Sequence, residues 1–132
     1  MNVDIKEIGR NDSTNELEFN IVDIDTNTTV GFLFTAGNHI AYEVWPEFRG
    51  NNIATDALKK ITRRISHPVL EITHDNMASQ RVATKAGYKL VRNNSIFGIY
   101  ELDDDVSKKR LQRKSFICFL IDRNLCLVYW II

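Results

Sequence analysis

The alternation of apolar and polar residues in the first third of the chain predicts a series of short β-strands. Residues 2–8 alternate in this way, and β-forming apolar residues recur in three further segments, 17–22, 30–35 and 39–45, which are bounded by polar turn residues. This spacing is typical of half-buried strands joined by hairpins. Pro46 ends the fourth segment, because proline has no amide to offer to a sheet ladder.

The apolar period lengthens from two to about four residues in the next segment. Ile53, Ala57, Ile61 and Ile65 recur along one face, so we predict an amphipathic helix over residues 52–65. The helix is expected to stop before a His-Pro pair, because the residue before a proline disfavours the helical conformation.

A second helical segment follows a short predicted strand at residues 69–73. Asn76 or Asp75 can cap this helix, and Gly87 lies where helices usually stop. A closing pair of strands is expected at residues 88–91 and 96–102. The order of strands, helix, strand, helix and strands predicts a mixed α/β domain.

The domain is expected to span residues 1–102. Beyond it, residues 103–114 are strongly charged and residues 116–132 are mostly apolar. We therefore expect residues 103–132 to form a solvated link and an apolar tail, which folds as a hairpin or a helix. So apolar a segment is expected to pack on the domain or on a second subunit, which would make a homodimer through the tail.

Composition and charge narrow the classes of function. The 132 residues include 17 Lys and Arg against 17 Asp and Glu, which disfavours nucleic acid or an anionic membrane as a partner. We find no apolar run long enough to span a bilayer and no secretory leader, so a cytoplasmic location is expected. Cys118 and Cys126 fit neither a disulfide framework nor a zinc motif, and no metal is expected.

The segment between the fourth strand and the first helix carries the candidate chemistry. Residues 42–54 read Tyr-Glu-Val-Trp-Pro-Glu-Phe-Arg-Gly-Asn-Asn-Ile-Ala. The first amides of a helix have no intrahelical partner, and with the helix dipole they attract anions. Gly50 allows close approach of a ligand, Asn51 and Asn52 tolerate a left-handed backbone, and Arg49 adds a cation. The loop suits a pyrophosphate, although an ordinary strand-to-helix turn has the same pattern.

Two motifs in this chain resemble those of the GNAT superfamily of acetyl-CoA-dependent N-acetyltransferases. Residues 44–54, Val-x-Pro-x-x-Arg-Gly-x-Asn-Ile-Ala, resemble its acetyl-CoA motif. Residues 76–88, Asn-x-x-Ser-x-x-Val-x-x-Lys-x-Gly-Tyr, resemble its second motif. The resemblance covers roughly residues 17–102 and is nearest the subgroup that acetylates the N-termini of ribosomal proteins, which also includes enzymes acting on small amines.

The resemblance implies a fold. A GNAT-like domain has a central mixed, mostly antiparallel sheet with a V-shaped splay and two main helices. The family usually has two more helices between its first two strands, which cover the acceptor site. Residues 9–16 are too few for them, so we expect these helices to be lacking and the acceptor side to be open or covered by something else.

The resemblance also implies acetyl-CoA as the cosubstrate and a set of residues that hold it. Val44 matches the position whose backbone pairs with the pantetheine arm and whose amide polarises the thioester carbonyl. Asn76 matches a residue that contacts the same arm, although it can equally be a simple helix cap. The matched pyrophosphate residues are Arg49, Gly50, Asn51, Asn52, Ile53, Ala54 and Thr55.

Two positions depart from the family's pattern. Asn52 stands where the family's loop has its second glycine, and asparagine is the best substitute for a positive φ. Ala83 stands where the second motif often has a tyrosine that protonates the leaving thiolate. Ser79, one turn earlier, is the candidate acid or water-orienting group in its place.

An amine must lose a proton to attack a thioester, so a base is expected near the cofactor motif. Glu43 on the fourth strand is the first candidate, although it can equally be a solvent-facing strand residue. His39 on the same strand and His74 after the next strand are rivals, because histidine titrates near neutral pH. His67 is interpreted as a loop residue.

These observations favour an N-acetyltransferase that acts on a primary amine, which could be a protein N-terminus, a lysine or a small amine. The alternative is a GNAT-like module that binds acyl-CoA or a partner protein without turnover. Ala83, Asn52 and the lacking helices favour this alternative.

Overall fold

The computed structural model describes residues 1–103, which form seven strands, two α-helices and a short 3₁₀ turn. The predicted apolar tail and nearly all of the charged link lie outside the described residues. The strands are β1 (Val3–Asn11), β2 (Glu16–Asp23), β3 (Thr28–Ala36), β4 (His39–Val44), β5 (Val69–Thr73), β6 (Tyr88–Asn93) and β7 (Phe97–Leu102). The helices are α1 (Ile53–Thr62) and α2 (Met77–Lys85), and the 3₁₀ turn is Pro46–Phe48.

Every predicted strand and helix within residues 1–102 is present, and the largest boundary errors, three residues each, are at the end of β1, which extends to Asn11 and not to Ile8, and at the end of α1. The helix stops at Thr62 and not at Ile65. The amide of Arg64 donates to the carbonyl of Ile61 at 2.9 Å, which tightens the last turn and ends the helical ladder. Ile65 fits the apolar period, but it lies half-buried in the turn after the helix.

The sheet has the order β1-β2-β3-β4-β5-β7-β6, and it is antiparallel between β1 and β4 and between β5 and β7 but parallel between β4 and β5. These two strands are parallel and have a single register pair, His39 with Val69. Beyond that pair the strands separate, which is the V-shaped splay expected of a GNAT-like sheet. The fold class predicted from the sequence is therefore confirmed.

Both helices pack against the sheet and against each other: α1 contacts β1 and β4, while α2 contacts β5 and β6. The core lies between them and one face of the sheet. Ile53, Ala57, Leu58 and Ile61 on α1 are all fully buried there. Each large apolar side chain of this kind stabilises the fold by about 1.5–3 kcal/mol.

The opposite face of the sheet is covered by neither α1 nor α2. Phe32 and Phe34 on β3 are half-buried there, and Glu43 is the cross-strand partner of Phe32. The connection from β1 to β2 covers only residues 12–15, so the two extra helices of the family are lacking from the described chain, as predicted. No helix within residues 1–103 has the length and apolarity to cross a membrane.

Candidate functional site

A cleft of about 670 Å³ opens where β4 separates from β5 and where α1 and α2 begin. This volume lies within the range of pockets that hold small molecules and cofactors. The lining residues are Tyr42, Glu43, Val44, Phe48, Arg49, Gly50, Asn52, Ile53, Ala54, Thr55, Asn76, Ala78, Ser79, Arg81, Val82 and Lys85.

The loop before α1 has the backbone conformation that the sequence predicts. Gly50 has a φ of 86° and Asn52 a φ of 57°, both in the left-handed region. Asparagine adopts this region more readily than other residues with a β-carbon, which explains why Asn52 can stand in place of a glycine. The chain thereby enters α1, whose first residues line the cleft.

The N-terminus of α1 has no side-chain cap. Asn52 occupies the cap position, yet its side chain makes no capping hydrogen bond. Its carbonyl accepts from the amide of Asp56 at 3.1 Å, so the amides of Ile53, Ala54 and Thr55 precede the first intrahelical bond. These three residues line the cleft, and their amides are the kind of donors that hold a phosphate.

Side chains around the loop fix its shape. Arg49 Nε donates to the carbonyl of Val44 at 3.1 Å, which ties the loop back to β4. Asn51 Nδ2 donates to the carbonyl of Phe48 at 3.0 Å. The first contact ties the residue before Gly50 to the end of β4, and the second ties the residue after it to the 3₁₀ turn.

The backbone of Val44 faces the splay. The amide of Trp45 donates to the carbonyl of Val30 at 2.9 Å, so Trp45 and Val30 form a hydrogen-bonded pair of the β3–β4 ladder. Hydrogen-bonded and non-bonded pairs alternate along an antiparallel ladder, so the next pair, Val44 with Gly31, is of the non-bonded type. The amide and carbonyl of Val44 therefore point away from β3 and into the region where β5 has separated.

The cleft is lined by three cations and one carboxylate. Arg49 lies in the loop, Arg81 and Lys85 lie on α2, and Glu43 lies on β4. Lys85 Nζ also approaches Asn52 Oδ1 at 3.5 Å, which places an ammonium group at the start of α1. Because the helix dipole and these cations act in the same direction, the loop end of the cleft favours anions.

The start of α2 has a different structure. Asn76 is its N-cap, and its side-chain oxygen accepts from the amide of Ser79 at 3.1 Å. The cap role anticipated for Asn76 is therefore confirmed, while a contact with a cofactor arm stays a prediction. Ser79 is half-buried in the first turn of α2 and lines the cleft.

Tyr42 brings a phenol to the same part of the cleft. Its hydroxyl oxygen is buried and has no hydrogen-bond partner among the described residues. Burial raises the pKa of Tyr42, and Ser79 lies close enough to lower it in part without forming a hydrogen bond of ordinary geometry. A buried hydroxyl without a partner costs about 1–3 kcal/mol, so such groups are rare unless they have a role.

The structure brings most of the sequence-predicted residues together. Glu43, Ser79, Val44, Asn76 and the loop residues other than Asn51 all line the cleft. His74 does not: it is exposed after β5, and its Nε2 lies 2.6 Å from the carbonyl oxygen of Asn94. The ring is therefore engaged outside the cleft, and we do not propose His74 as a base.

Asn51 and His39 also lie outside the cleft lining. Asn51 is exposed, and its amide group shapes the loop through Phe48. His39 Nδ1 lies 3.7 Å from a carboxylate oxygen of Glu71 on β5, near the point where the two strands still pair.

Sequence reasoning missed Tyr42, Arg81 and Lys85. Tyr42 lies two residues before Val44, and alternation along a strand places both side chains on one face. Arg81 and Lys85 lie four residues apart on α2, which places them on one side of a helix. Both signals were present in the sequence, but the side of α2 that faces the cleft becomes identifiable only with the position of the helix.

Several solved acetyltransferase structures have the same fold. AAC(6')-Ib bound to ribostamycin and coenzyme A superposes with a TM-score of 0.64 at 7% identity, over 73% of this chain and 68% of that one. The GNAT domain of PAT from S. lividans gives 0.61 at 16% identity, over 71% and 64%. RimL, an alpha-N-acetyltransferase of a ribosomal protein solved with coenzyme A, gives 0.52 at 22% identity, over 65% and 59%.

At these identities the likeness establishes the fold, and this chain has the GNAT fold. It spans 59% of the length of RimL and 64% of the PAT domain. No protein-family model and no curated protein sequence matches the chain.

Proposed function

We propose that this GNAT-fold chain is an N-acetyltransferase that moves an acetyl group from acetyl-CoA to a primary amine. The observation that carries the proposal is the uncapped start of α1, which lines the cleft together with Arg49, Arg81 and Lys85. Free amides and cations of this kind fit a pyrophosphate. Neighbours of the same fold were solved with coenzyme A, which supports this reading.

The splay suits the arm of the cosubstrate. The backbone groups of Val44 point into it and lack a partner strand in register, because β4 and β5 pair only at His39 and Val69. An extended amide-containing arm could therefore align with β4 as an extra strand would. The amide of Val44 then lies where it can donate to the thioester carbonyl and stabilise the negative charge that develops as the amine attacks.

Glu43 is proposed as the base. Its side chain alternates with those of Tyr42 and Val44, so it belongs to the sheet face that α1 and α2 leave uncovered, and it also lines the cleft. An amine arriving from that uncovered face would meet the Glu43 carboxylate before it reaches the splay. The carboxylate takes the proton that the amine loses, directly or through one water.

The acceptor is proposed as a chemical class and not as a single compound. The neighbours include enzymes solved with an aminoglycoside or acting on a ribosomal protein, and this chain has the same fold without the first two helices. A primary amine on a small molecule or a polypeptide is therefore the proposed acceptor. The cytoplasmic location stays a prediction.

A second candidate is a module that binds acyl-CoA without turnover. Ala83, at the position where the resembled motif often has a tyrosine, is fully buried and does not line the cleft. Position 83 therefore supplies no proton donor to the cleft. This observation favours the module, unless another residue supplies the donor.

One assay separates the two candidates. The chain is incubated with acetyl-CoA and a panel of amines that includes peptides with a free N-terminus, lysine and polyamines, and free thiol is followed with a chromogenic reagent. Thiol release that depends on an amine supports the acetyltransferase. Saturable CoA binding without thiol release across the panel supports the module.

A matched pair of variants tests the base. Glu43→Gln is expected to lower turnover about 100-fold, since a general base contributes 10²–10⁴-fold, while the affinity for CoA changes little. Glu47→Gln is the control, because Glu47 is exposed in the 3₁₀ turn and outside the cleft lining. Equal turnover of Glu43→Gln and the control across the pH range would remove Glu43 as the base.

A further inference from the structure

The backbones of β3 and β4 come closer at Gly31 than a side chain at that position would allow. A β-carbon on Gly31 would overlap the carbonyl oxygen of Glu43, and it would lie 3.1 Å from the Cα of Val44 and 3.3 Å from the carbonyl carbon of Glu43. Ordinary contacts between carbon atoms are about 3.5–4.0 Å. Gly31 is not among the glycines with a positive φ. The close approach of β4, and not a left-handed backbone, therefore excludes a side chain there.

This close approach coincides with a bulge in β3. Ile21 on β2 pairs with Gly31, whereas the next residue, Val22, pairs with Thr29, so Val30 is the extra residue of β3. Val30 and Gly31 are consecutive and both buried, which breaks the alternation of the strand. Bulges bend a strand and increase its local twist, and they often re-aim groups beside functional sites. The bend of β3 thus lies directly opposite the last residue of β4.

The carbonyl that lies against Gly31 belongs to the same peptide unit as the amide of Val44, which we call the 43–44 unit. A peptide unit is planar and trans, so its C=O and N–H bonds point in opposite directions. Because the Glu43 oxygen lies against β3, the amide of Val44 points away from β3 and into the splay. The position of the oxygen therefore fixes the direction of the amide.

The next peptide unit along β4 is held by hydrogen bonds. The amide of Trp45 donates to the carbonyl of Val30 at 2.9 Å, and the carbonyl of Val44 accepts from Arg49 Nε at 3.1 Å. Both ends of this unit thus have partners within the chain. The 43–44 unit differs, because its amide belongs to a residue of the cleft lining and its carbonyl lies against a glycine.

We propose that Gly31 is a positioning residue of the proposed reaction: the lack of a side chain at position 31 lets the 43–44 unit lie against β3, which directs the Val44 amide at the thioester carbonyl. The inference rests on the proposed function for the role of that amide. A β-carbon at position 31 would displace the unit by about 1 Å to restore an ordinary contact. A misplacement of this size can lower a rate by about 100-fold.

The charge that the amide stabilises appears and disappears within the transfer. The amine nitrogen bonds to the thioester carbon, an electron pair of the C=O bond moves to its oxygen, and the Val44 amide donates a hydrogen bond to that oxygen. The pair returns as the carbon–sulfur bond breaks and the sulfur leaves as a thiolate. The amine proton goes to Glu43 and then to water, and the thiolate takes up one proton on release. The amide gives up no proton, so only its position matters.

Gly98 on β7 provides a matched control. It is buried in a strand like Gly31, and a β-carbon there would also be crowded, at 2.6 Å from Cδ1 of Leu90. That atom is the end of a flexible side chain, whereas a β-carbon on Gly31 would meet backbone. Gly98 also lies outside the cleft lining. Gly98→Ala therefore measures the effect of alanine at a crowded strand position that does not contact the 43–44 unit.

The first test needs no ligand. Residual dipolar couplings of the weakly aligned, ¹⁵N-labelled chain give the direction of the Val44 N–H bond relative to the sheet. In the unchanged chain this bond is expected to point away from β3, in Gly31→Ala to change direction, and in Gly98→Ala to keep it. A bond that points towards β3 in the unchanged chain would overturn the inference even if Gly31→Ala does not fold. The same direction in all three proteins would also overturn it.

The second test is kinetic and spectroscopic. Gly31→Ala is expected to lower kcat by about 100-fold, while the affinity for CoA, which has no thioester carbonyl, stays within about threefold. Gly98→Ala should keep both values. The ¹³C signal of the labelled carbonyl of bound acetyl-CoA should lie further downfield in the unchanged chain than in Gly31→Ala, because a hydrogen bond polarises the carbonyl. An equal carbonyl signal in both proteins would contradict the positioning.

A second variant removes the amide without adding an atom near β3. An ester in place of the amide at position 44 has no N–H to donate, so it is expected to lower kcat by about as much as Gly31→Ala. In the ester background Gly31→Ala should have no further effect on kcat, because both changes remove the same contact. Losses that multiply would overturn the inference, since independent residues behave in that way.

The outcomes separate the two proposals. If no amine releases thiol but the Val44 bond direction and the carbonyl signal depend on position 31, the acetyltransferase proposal fails and the positioning by Gly31 stands. If thiol is released with the same kcat in Gly31→Ala and Gly98→Ala, the positioning fails alone. A fall in kcat that is matched by the same fall in CoA affinity would also overturn it, because the change would then act on binding as a whole.

Discussion

The two helices begin at an asparagine but use it in opposite ways. At α2 the side chain of Asn76 caps the helix by accepting from the amide of Ser79. At α1 the side chain of Asn52 makes no cap, and its backbone takes the left-handed form. A cap contributes about 1 kcal/mol to stability, so the bare end of α1 is a cost to the fold.

The difference indicates that the N-termini of α1 and α2 have different roles. The capped end of α2 is satisfied by its own chain, whereas the bare end of α1 leaves donors towards a cleft lined with Arg49, Arg81 and Lys85. The same residue type thus serves the fold in one helix and leaves room for an anionic ligand in the other.

The largest effect is expected from Gly50→Glu. A β-carbon at Gly50 would have no atom within 4 Å, so the fold should persist at a cost of about 1 kcal/mol for the left-handed backbone. The new carboxylate would lie in the anion site, and CoA affinity is expected to fall about 100-fold, or about 2.7 kcal/mol, by calorimetry.

Gly37→Glu is the matched control for that variant. Gly37 also has a positive φ, 59°, and equal space around its β-carbon, but it lies in the β3–β4 hairpin away from the cleft lining. The same loss of stability with unchanged CoA affinity is expected. Equal affinities of Gly50→Glu and Gly37→Glu would remove the loop as the binding site.

Removal of single cations on α2 is expected to have a smaller effect. Arg81→Met and Lys85→Met should each weaken CoA binding about fivefold at low salt, or about 1 kcal/mol, and less at high salt because both side chains are exposed. Pantetheine, which lacks the phosphates, should bind all variants equally. Lys59→Met on the exposed side of α1 is the control, and a loss of the same size in that variant would indicate a general field.

The stability of the two helix starts is expected to differ in urea unfolding. Asn76→Ala should lower the free energy of unfolding by about 1 kcal/mol through loss of the cap. Asn52→Gly should change it by only a few tenths, because its φ of 57° suits glycine and no side-chain cap is lost. A loss in Asn52→Gly as large as that in Asn76→Ala would show that α1 depends on its asparagine too.

The smallest effect concerns alkaline pH. The folded pKa of Tyr42 is raised, so folding favours the neutral phenol. Its contribution to stability is complete below the usual tyrosine value of about 10, and it is lost as the pH rises through the raised pKa. The free energy of unfolding should therefore fall more steeply above pH 10 in the unchanged chain than in Tyr42→Phe, and parallel curves would contradict the burial of this phenol.

Much of the fold could be predicted from the sequence because its elements have clear periods. Alternation marks the early strands, and the four-residue repeat from Ile53 to Ile61 marks α1. The repeat also extends to Ile65 and therefore predicts a helix that is three residues too long. The helix ends earlier because the amide of Arg64 donates to the carbonyl of Ile61 in a local turn, which apolar spacing does not encode. The splay of β4 from β5 was expected only from the family resemblance, because strand separation leaves no periodic signal.

The candidate site was predictable in its loop and less so elsewhere. The left-handed conformation at Asn52 follows from residue type and position, and the structure bears it out. Helical spacing places Arg81 and Lys85 on one side of α2, but only the tertiary packing brings that side to the same cleft as Tyr42, and no local pattern encodes this. His74 was a plausible base by chemistry, but its ring faces the carbonyl of Asn94.

The central claim is that the first amides of α1 hold the phosphates of coenzyme A, and an NMR titration of the ¹⁵N-labelled chain with CoA tests it most directly. The amide signals of Gly50 and of Asn52–Thr55 are expected to shift together and to saturate, while that of Gly37 stays in place. Saturable shifts confined to residues outside the cleft, with the signals of Ile53, Ala54 and Thr55 unmoved, would contradict the account.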